Sequence, residues 1–125
     1  MSLSLSLELT SGLAGVATLT NDGPDPTRVW RGGSERGDEP WSFELSSGGR
    51  YVSDEVYTRN SPAPVDLARG ESLTRPFDLA DGSWRAEGDT DGATSMVAVY
   101  DVPMTPEAAE HGIWIGALRS DPVEL

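Results

Sequence analysis

Residues 66–77 read DLARGESLTRPF, and the Arg69-Gly70-Glu71 at their centre differs by one methylene from the Arg-Gly-Asp tripeptide of adhesion ligands. Turn chemistry accounts for the same residues without a receptor. A type II turn needs positive φ at its third residue, which glycine adopts freely, and favours proline at its second. Gly70 fills the first requirement and Arg69 occupies the proline-favoured place. Leu67 then reads as a buried anchor before the turn, and Glu71-Ser72 lead into a strand carrying Leu73 and Phe77. The stretch is strand, tight turn, strand, and it sets the expectation for the rest of the chain.

Upstream, MSLSLSLELT alternates strictly, with Leu3, Leu5, Leu7 and Leu9 on one face and Ser4, Ser6 and Glu8 on the other. A period of two is the signature of a half-buried strand. Val16, Ala17 and Leu19 continue into the cluster NDGPDP (21–26), whose positive-φ and fixed-φ residues end a strand. Residues 27–31 are β-rich and stop at Gly32-Gly33. Trp41, Phe43 and Leu45 alternate with polar neighbours, and SSGG (46–49) turns the chain into Arg50-Tyr51-Val52 as a hairpin.

Residues 54–59, with Val56, Tyr57 and Thr58, form another strand candidate before NSPAP (60–64), where two prolines deny ladder donors. Residues 96–101 are the most apolar strand, with Met96, Ala98 and Tyr100 on one face and Val97 and Val99 on the other, so both faces are expected to be covered. PMTPEAAEH (103–111) predicts one helical turn starting near Thr105, with Pro106 at the first helical position. Residues 113–118 read as the last long strand, and Val123 to Leu125 as its extension.

Turn signals recur about every 8 to 12 residues and no long amphipathic helix or internal repeat appears, so the expectation is roughly seven to nine short strands. With 125 residues, the chain is long enough for one core and reads as a single domain, 1–125. The predicted fold is an all-β, immunoglobulin-like antiparallel β-sandwich.

Composition excludes several functions. Twenty-one acidic against nine basic side chains give a formal net charge of −12, which repels polyphosphate, so nucleic acid is not an expected partner. The same charge favours solubility, in a salty or crowded environment, or attraction to a basic protein surface. No apolar run approaches the length of about 20 residues that a membrane span needs. The amino terminus has neither a basic n-region nor a continuous apolar h-region, so the chain reads as cytoplasmic and soluble; a processed secreted domain would read the same way. The absence of cysteine excludes disulfides, thiolate ligands and cysteine nucleophiles.

Three segments, ATLTNDG (17–23), DLARGES (66–72) and WIGALRS (114–120), occur in an order that resembles immunoglobulin-like bacterial domains. Such a domain precedes the catalytic domain of deuterolysin-type metalloproteases, and a related sandwich is seen in the intracellular proteinase inhibitors of bacilli. The resemblance spans about Leu7 to Leu125 and rests on turns and core positions, so it implies a fold and, more distantly, proteinase-inhibitor-like binding. The chain departs from the pattern at Arg69, where proline is usual, and in its acidic tract 87–92, where a Gly-x-Tyr is expected. The protease's zinc motif is absent, because His111 is the one histidine.

That histidine also limits catalysis. No Gly-x-Ser-x-Gly elbow accompanies it, and one imidazole without thiols does not make a zinc site. No cofactor is expected. Hard cations need only oxygens, and EGDTDG (87–92) holds the Asp-x-Asp-Gly portion of a calcium loop without its remaining spacing. The expected function is a non-catalytic interaction module that presents loops 30–38, 59–64 and 84–92 to a protein partner, with Trp30, Arg31, Tyr57, Arg59 and Trp84 as binding residues. Trp30 is out of phase with Val29 and is therefore expected to be exposed beside Arg28 and Arg31. Trp84 is expected over a loop or a ligand, and Trp41 and Trp114 in the core. The alternatives are a small cofactor-free enzyme of the cyclase or isomerase type, with a pocket inside the sandwich, and a carbohydrate- or calcium-binding module. The final strands, apolar on both faces, leave a homodimer open.

Overall fold

A computed structural model describes residues 3–30, 40–53, 64–82 and 84–125. Arg31, Tyr57 and Arg59, and the strand candidate at 54–59, lie outside the described residues.

The leucine alternation forms β1 (Leu3–Ser11), which pairs antiparallel with β2 (Ala14–Asn21) through a turn at Gly12-Leu13 and a register shift between Leu9 and Ser11. β2 buries every second residue, including Ala17 and Leu19, and pairs on its other side with β7 (Ser72–Asp78). These three strands make one sheet in the order β1-β2-β7.

The second sheet is built around β9 (Ser95–Val102) and β4 (Trp41–Leu45). Its order is β10-β9-β4-β5-β8, with β5 at Arg50–Ser53, β8 at Trp84–Glu87 and β10 at Gly116–Arg119, and β11 (Val123–Glu124) also pairs with β9. A two-stranded ribbon, β3 (Thr27–Trp30) with β6 (Pro64–Leu67), completes the fold. All of the pairings are antiparallel, so the described residues form the all-β sandwich that the alternating pattern predicts. Among the described residues there are eleven strand segments, several of only two to four residues, which is why they outnumber the seven to nine expected.

Side chains fill the space between the sheets. Phe77 of β7 meets Phe43 of β4 across the layers, with ring centroids 4.2 Å apart. Phe43 also packs edge-on against Trp84 at 5.2 Å, and Trp41 against Tyr100 at 4.9 Å. Such tilted and T-shaped contacts suit the ring quadrupole. As expected, Met96, Ala98 and Tyr100 are buried and Val99 on the opposite face is buried as well. Between β10 and β11, Ser120 holds the edge of β9: its Oγ accepts from Ala98 N at 2.8 Å while its N–H donates to Ala98 O at 2.9 Å.

The opening stretch folds as the type II turn that its residues demand. Glu71 N donates to Ala68 O at 2.9 Å, and Gly70 has φ +81°. The turn is held from outside by Asn21, the end of β2. Asn21 O accepts from Gly70 N, and Asn21 N donates to Glu71 O. The Asn21 side chain, fully buried, donates from Nδ2 to Asp25 O and to Leu67 O, each at 2.8 Å, and accepts from Gly23 N through Oδ1. Residues 21–23 and 67–71, which carry two of the three resembling segments, are thus one hydrogen-bonded junction.

The short helix also follows its sequence signals. Thr105 caps α1 (Pro106–His111) by accepting from Ala108 N, Pro106 stands in its first turn, and Gly112 closes it at φ 67°. The strand expected over 113–118 begins only at Gly116. Ile113 N donates to Ala108 O and Trp114 N to Arg28 O, so the helix cap and β3 take these donors before strand pairing starts.

Candidate functional site

The tryptophan expected to be exposed, Trp30, is not. Trp30 is buried at 5% exposure, although Val29 beside it is buried too. Alternation puts Trp30 on the face that carries exposed Arg28, and at Trp30 that face is covered locally, because α1 brings His111 to 5.6 Å from its ring, edge to face. The backbone is held as well, since Tyr100 Oη donates to Trp30 O at 2.8 Å. Trp84, expected over a loop or a ligand, is buried too. It begins β8 and is buried against Phe43, with the Arg75 guanidinium 5.4 Å from its ring centre. Neither ring offers a free stacking face. Trp114, expected in the core, is half-buried and packs against the core from the rim.

The described residues instead form a site at the junction of the β3–β6 ribbon with the end of α1. Arg28 and Asp66 lie opposite each other in the ribbon's register on its exposed face. The guanidinium grips the carboxylate with Nε to Oδ1 at 2.8 Å and Nη2 to Oδ2 at 3.3 Å. Nη1 reaches the helix end and donates to His111 O at 3.0 Å, and Arg28 O accepts from Trp114 N at 2.8 Å. Two hydrogen bonds therefore fix the α1 exit to the ribbon. Between them lies an open cavity of about 350 Å³, lined by Thr27, Arg28, Asp66, His111, Gly112 and Trp114 among others.

Electrostatics follow from that pair. The hydrogen bond from Arg28 holds the Asp66 carboxyl below the usual carboxylate range, and the hydrogen bond to Asp66 raises the Arg28 guanidinium in turn. Both groups are solvated, so this is a positioning device rather than a large contribution to stability. Thr27 is the exception in the site. The residue is 2% exposed, and its hydroxyl is shielded from water and finds no hydrogen-bond partner among the described residues.

No described hydroxyl or carboxylate is hydrogen-bonded to the His111 ring, whose contact is with Trp30. In the acidic tract, Asp89 Oδ1 accepts from Asp91 N at 3.0 Å, and Glu87 is engaged by Arg50 and Arg85. The hydrogen bonds from Arg85 and then Arg50 pull Glu87 below its ordinary value. Among the described residues no three carboxylate or imidazole side chains gather to hold a metal. No helix among them is long and apolar enough to cross a membrane.

No protein-family model matches this chain, and no curated protein sequence matches it. The site therefore rests on its own geometry. Sequence reading placed Arg28 near Trp30 but missed Thr27, Asp66 and His111 as neighbours. The ribbon register that joins Arg28 to Asp66 spans 38 positions, and the contact with His111 spans 83.

Proposed function

We propose that the chain is a non-catalytic interaction module that binds another protein through its rim, in the proteinase-inhibitor-like manner that the sequence resemblance implies. The observation that supports this reading is the filled interior. Trp41, Tyr100, Phe43, Leu19 and Met96 are each at most 1% exposed, and the cavity lined by Arg28, Asp66 and His111 opens at the rim. Chemistry on a small substrate is favoured by an enclosed, water-excluded pocket with convergent polar groups. Recognition of a protein is favoured by a rigid open surface, because less motion is lost on binding. The hydrogen bonds at Arg28 supply that rigidity.

The segments carrying Arg31, Tyr57 and Arg59 join the described residues at Trp30 and Pro64, which are partners in register. Both segments therefore adjoin the same end of the ribbon. The net charge of −12 favours a basic surface on the partner and a faster encounter at low salt. Progress curves of a panel of serine, cysteine and metallo-endopeptidases, recorded with increasing amounts of the chain, test the reading. Saturable inhibition of at least one enzyme is expected, and it is lost when residues 57–64 are replaced by a glycine-serine linker in a variant that keeps its circular dichroism. Absence of both inhibition and binding across the panel sinks the inhibitor version.

A further inference from the structure

We infer that the free edge of β1 is an interface for a second copy of this chain, which adds its own β1 antiparallel across a two-fold axis at Ser6. The inference goes beyond the protein-binding reading and does not depend on it.

Three observations carry it. The first is the edge itself. β1 runs over nine residues, Leu3–Ser11, and among the described residues it pairs with β2 alone, so its other side presents unpaired main-chain donors and acceptors. Folded proteins blunt such edges with charge, proline or shortness. The other edges of this fold are blunted in these ways. β7 carries Arg75 and Pro76, β8 carries Arg85 and Glu87 within four residues, and β10 and β11 have only four and two residues. The ribbon has Arg28 on β3 and Pro64 and Asp66 on β6. β1 has neither a proline nor a basic residue, and Glu8 is its one charge.

The second is self-complementarity. Residues directly opposite in an antiparallel pair point to the same face, so two copies of β1 match only where leucine meets leucine. With the axis at Ser6, Leu3 lies opposite Leu9 of the second copy, Leu5 opposite Leu7, Ser4 opposite Glu8, and Ser6 opposite Ser6. An axis at Glu8 would set two carboxylates against each other, and one at Leu7 would carry the pairing into the register shift between Leu9 and Ser11. The third is what the pairing covers. Leu7 is buried, but Leu3, Leu5 and Leu9 are only half-buried against the core, and cross-strand leucine pairs complete their cover. The net charge of −12 holds copies apart wherever acids are exposed, and β1 is the sheet edge with the fewest charges per residue. One added strand pair makes a small interface, below the roughly 1,200 Å² of standard ones, so the dimer is weak and reversible.

Sedimentation velocity of the full chain over a range of concentrations tests this, with hydrogen exchange of the backbone amides read at both ends of the range. A reversible equilibrium between monomer and dimer is expected, and exchange within Leu3 to Leu9 is expected to slow as dimer forms. Two substitutions at exposed serines, each adding the same charge, separate register from net charge. Ser6→Lys sets two ammonium groups opposite each other on the axis and is expected to weaken the dimer about fivefold, although it makes the chain less acidic. Ser4→Lys sets each ammonium group opposite Glu8 of the second copy and is expected to strengthen the dimer about fivefold. Circular dichroism checks that both variants keep the fold. The same change in both variants overturns the axis at Ser6. Slowed exchange confined to other strands overturns this edge as the interface. A chain that stays monomeric throughout, at low salt and at high, overturns the second copy as its occupant. None of these outcomes bears on the endopeptidase panel, so the protein-binding reading stands or falls separately.

Discussion

Asn21 and Thr27 are six positions apart, both are polar, both are buried, and they differ completely in what surrounds them. The Asn21 side chain makes three hydrogen bonds, to Asp25 O, Leu67 O and Gly23 N, and its backbone makes two more with the 68–71 turn. The Thr27 hydroxyl makes none among the described residues. A buried polar group that is fully paired specifies architecture, because every alternative fold must leave its partners unpaired. One that is unpaired weakens the fold and needs some other reason to be there. The contrast separates the junction that builds this sandwich from a buried position that costs it stability.

The largest expected effect breaks the satisfied side of that contrast. Asn21→Leu strands Leu67 O and Gly23 N in a buried place and frees Asp25 O at its edge, and a loss of about 3 kcal/mol or more in urea unfolding is expected. A loss below about 1 kcal/mol would show that the junction is an accessory to the fold rather than its keystone.

Next is the turn that Asn21 holds. Gly70 sits at φ +81°, where a β-branched side chain is strained, so Gly70→Val is expected to cost about 2 kcal/mol. Arg69→Pro, at the neighbouring position, is expected to gain about 0.5 kcal/mol by restricting the unfolded chain. Equal effects at the two positions would contradict a type II geometry.

On the unsatisfied side the sign reverses. Thr27→Val removes an orphan hydroxyl at nearly constant volume and is expected to raise stability by about 1 kcal/mol, read as a higher urea midpoint at unchanged slope. Destabilisation instead would mean that the hydroxyl is paired in solution.

The smallest effect concerns acid. Asp66 has a folded value below its unfolded value of about 3.9, so its contribution is present above that value and is lost as pH falls through the folded one. Carboxyl ¹³C titration is expected to place Asp66 below the ordinary range, and Arg28→Leu to move it back up. An Asp66 that titrates identically in both proteins would remove the ion pair from the site.

What could be read in advance follows the range of the interactions. Leu3, Leu5, Leu7 and Leu9 announce β1 because strand geometry converts a period of two directly into a face. Thr105 and Pro106 announce the start of α1, and Gly70 its turn, because caps and turns are local chemistry. Trp30 was misread since alternation says which way a ring points and not whether another element arrives to cover it; here α1 and His111 do. The rim cavity was out of reach for a related reason. Arg28, Asp66 and His111 come from a ribbon and a helix end that only long-range pairing brings together, and Thr27 looks like any strand threonine until its partners are sought.

The position of β4 has a kinetic consequence. This strand lies between β5, its neighbour through a short hairpin, and β9, with Phe43 directly opposite Ala98. The β1–β2 and β4–β5 hairpins close locally and are expected within about 1–10 μs, whereas the β4–β9 register must wait for most of the intervening chain to be gathered in. Sandwiches dominated by such distant pairings fold in about milliseconds to seconds. Until the β1-β2-β7 sheet brings Phe77 across the layers, the face of β4 that carries Phe43 stays uncovered, and a net charge of −12 opposes the meeting of two half-folded chains.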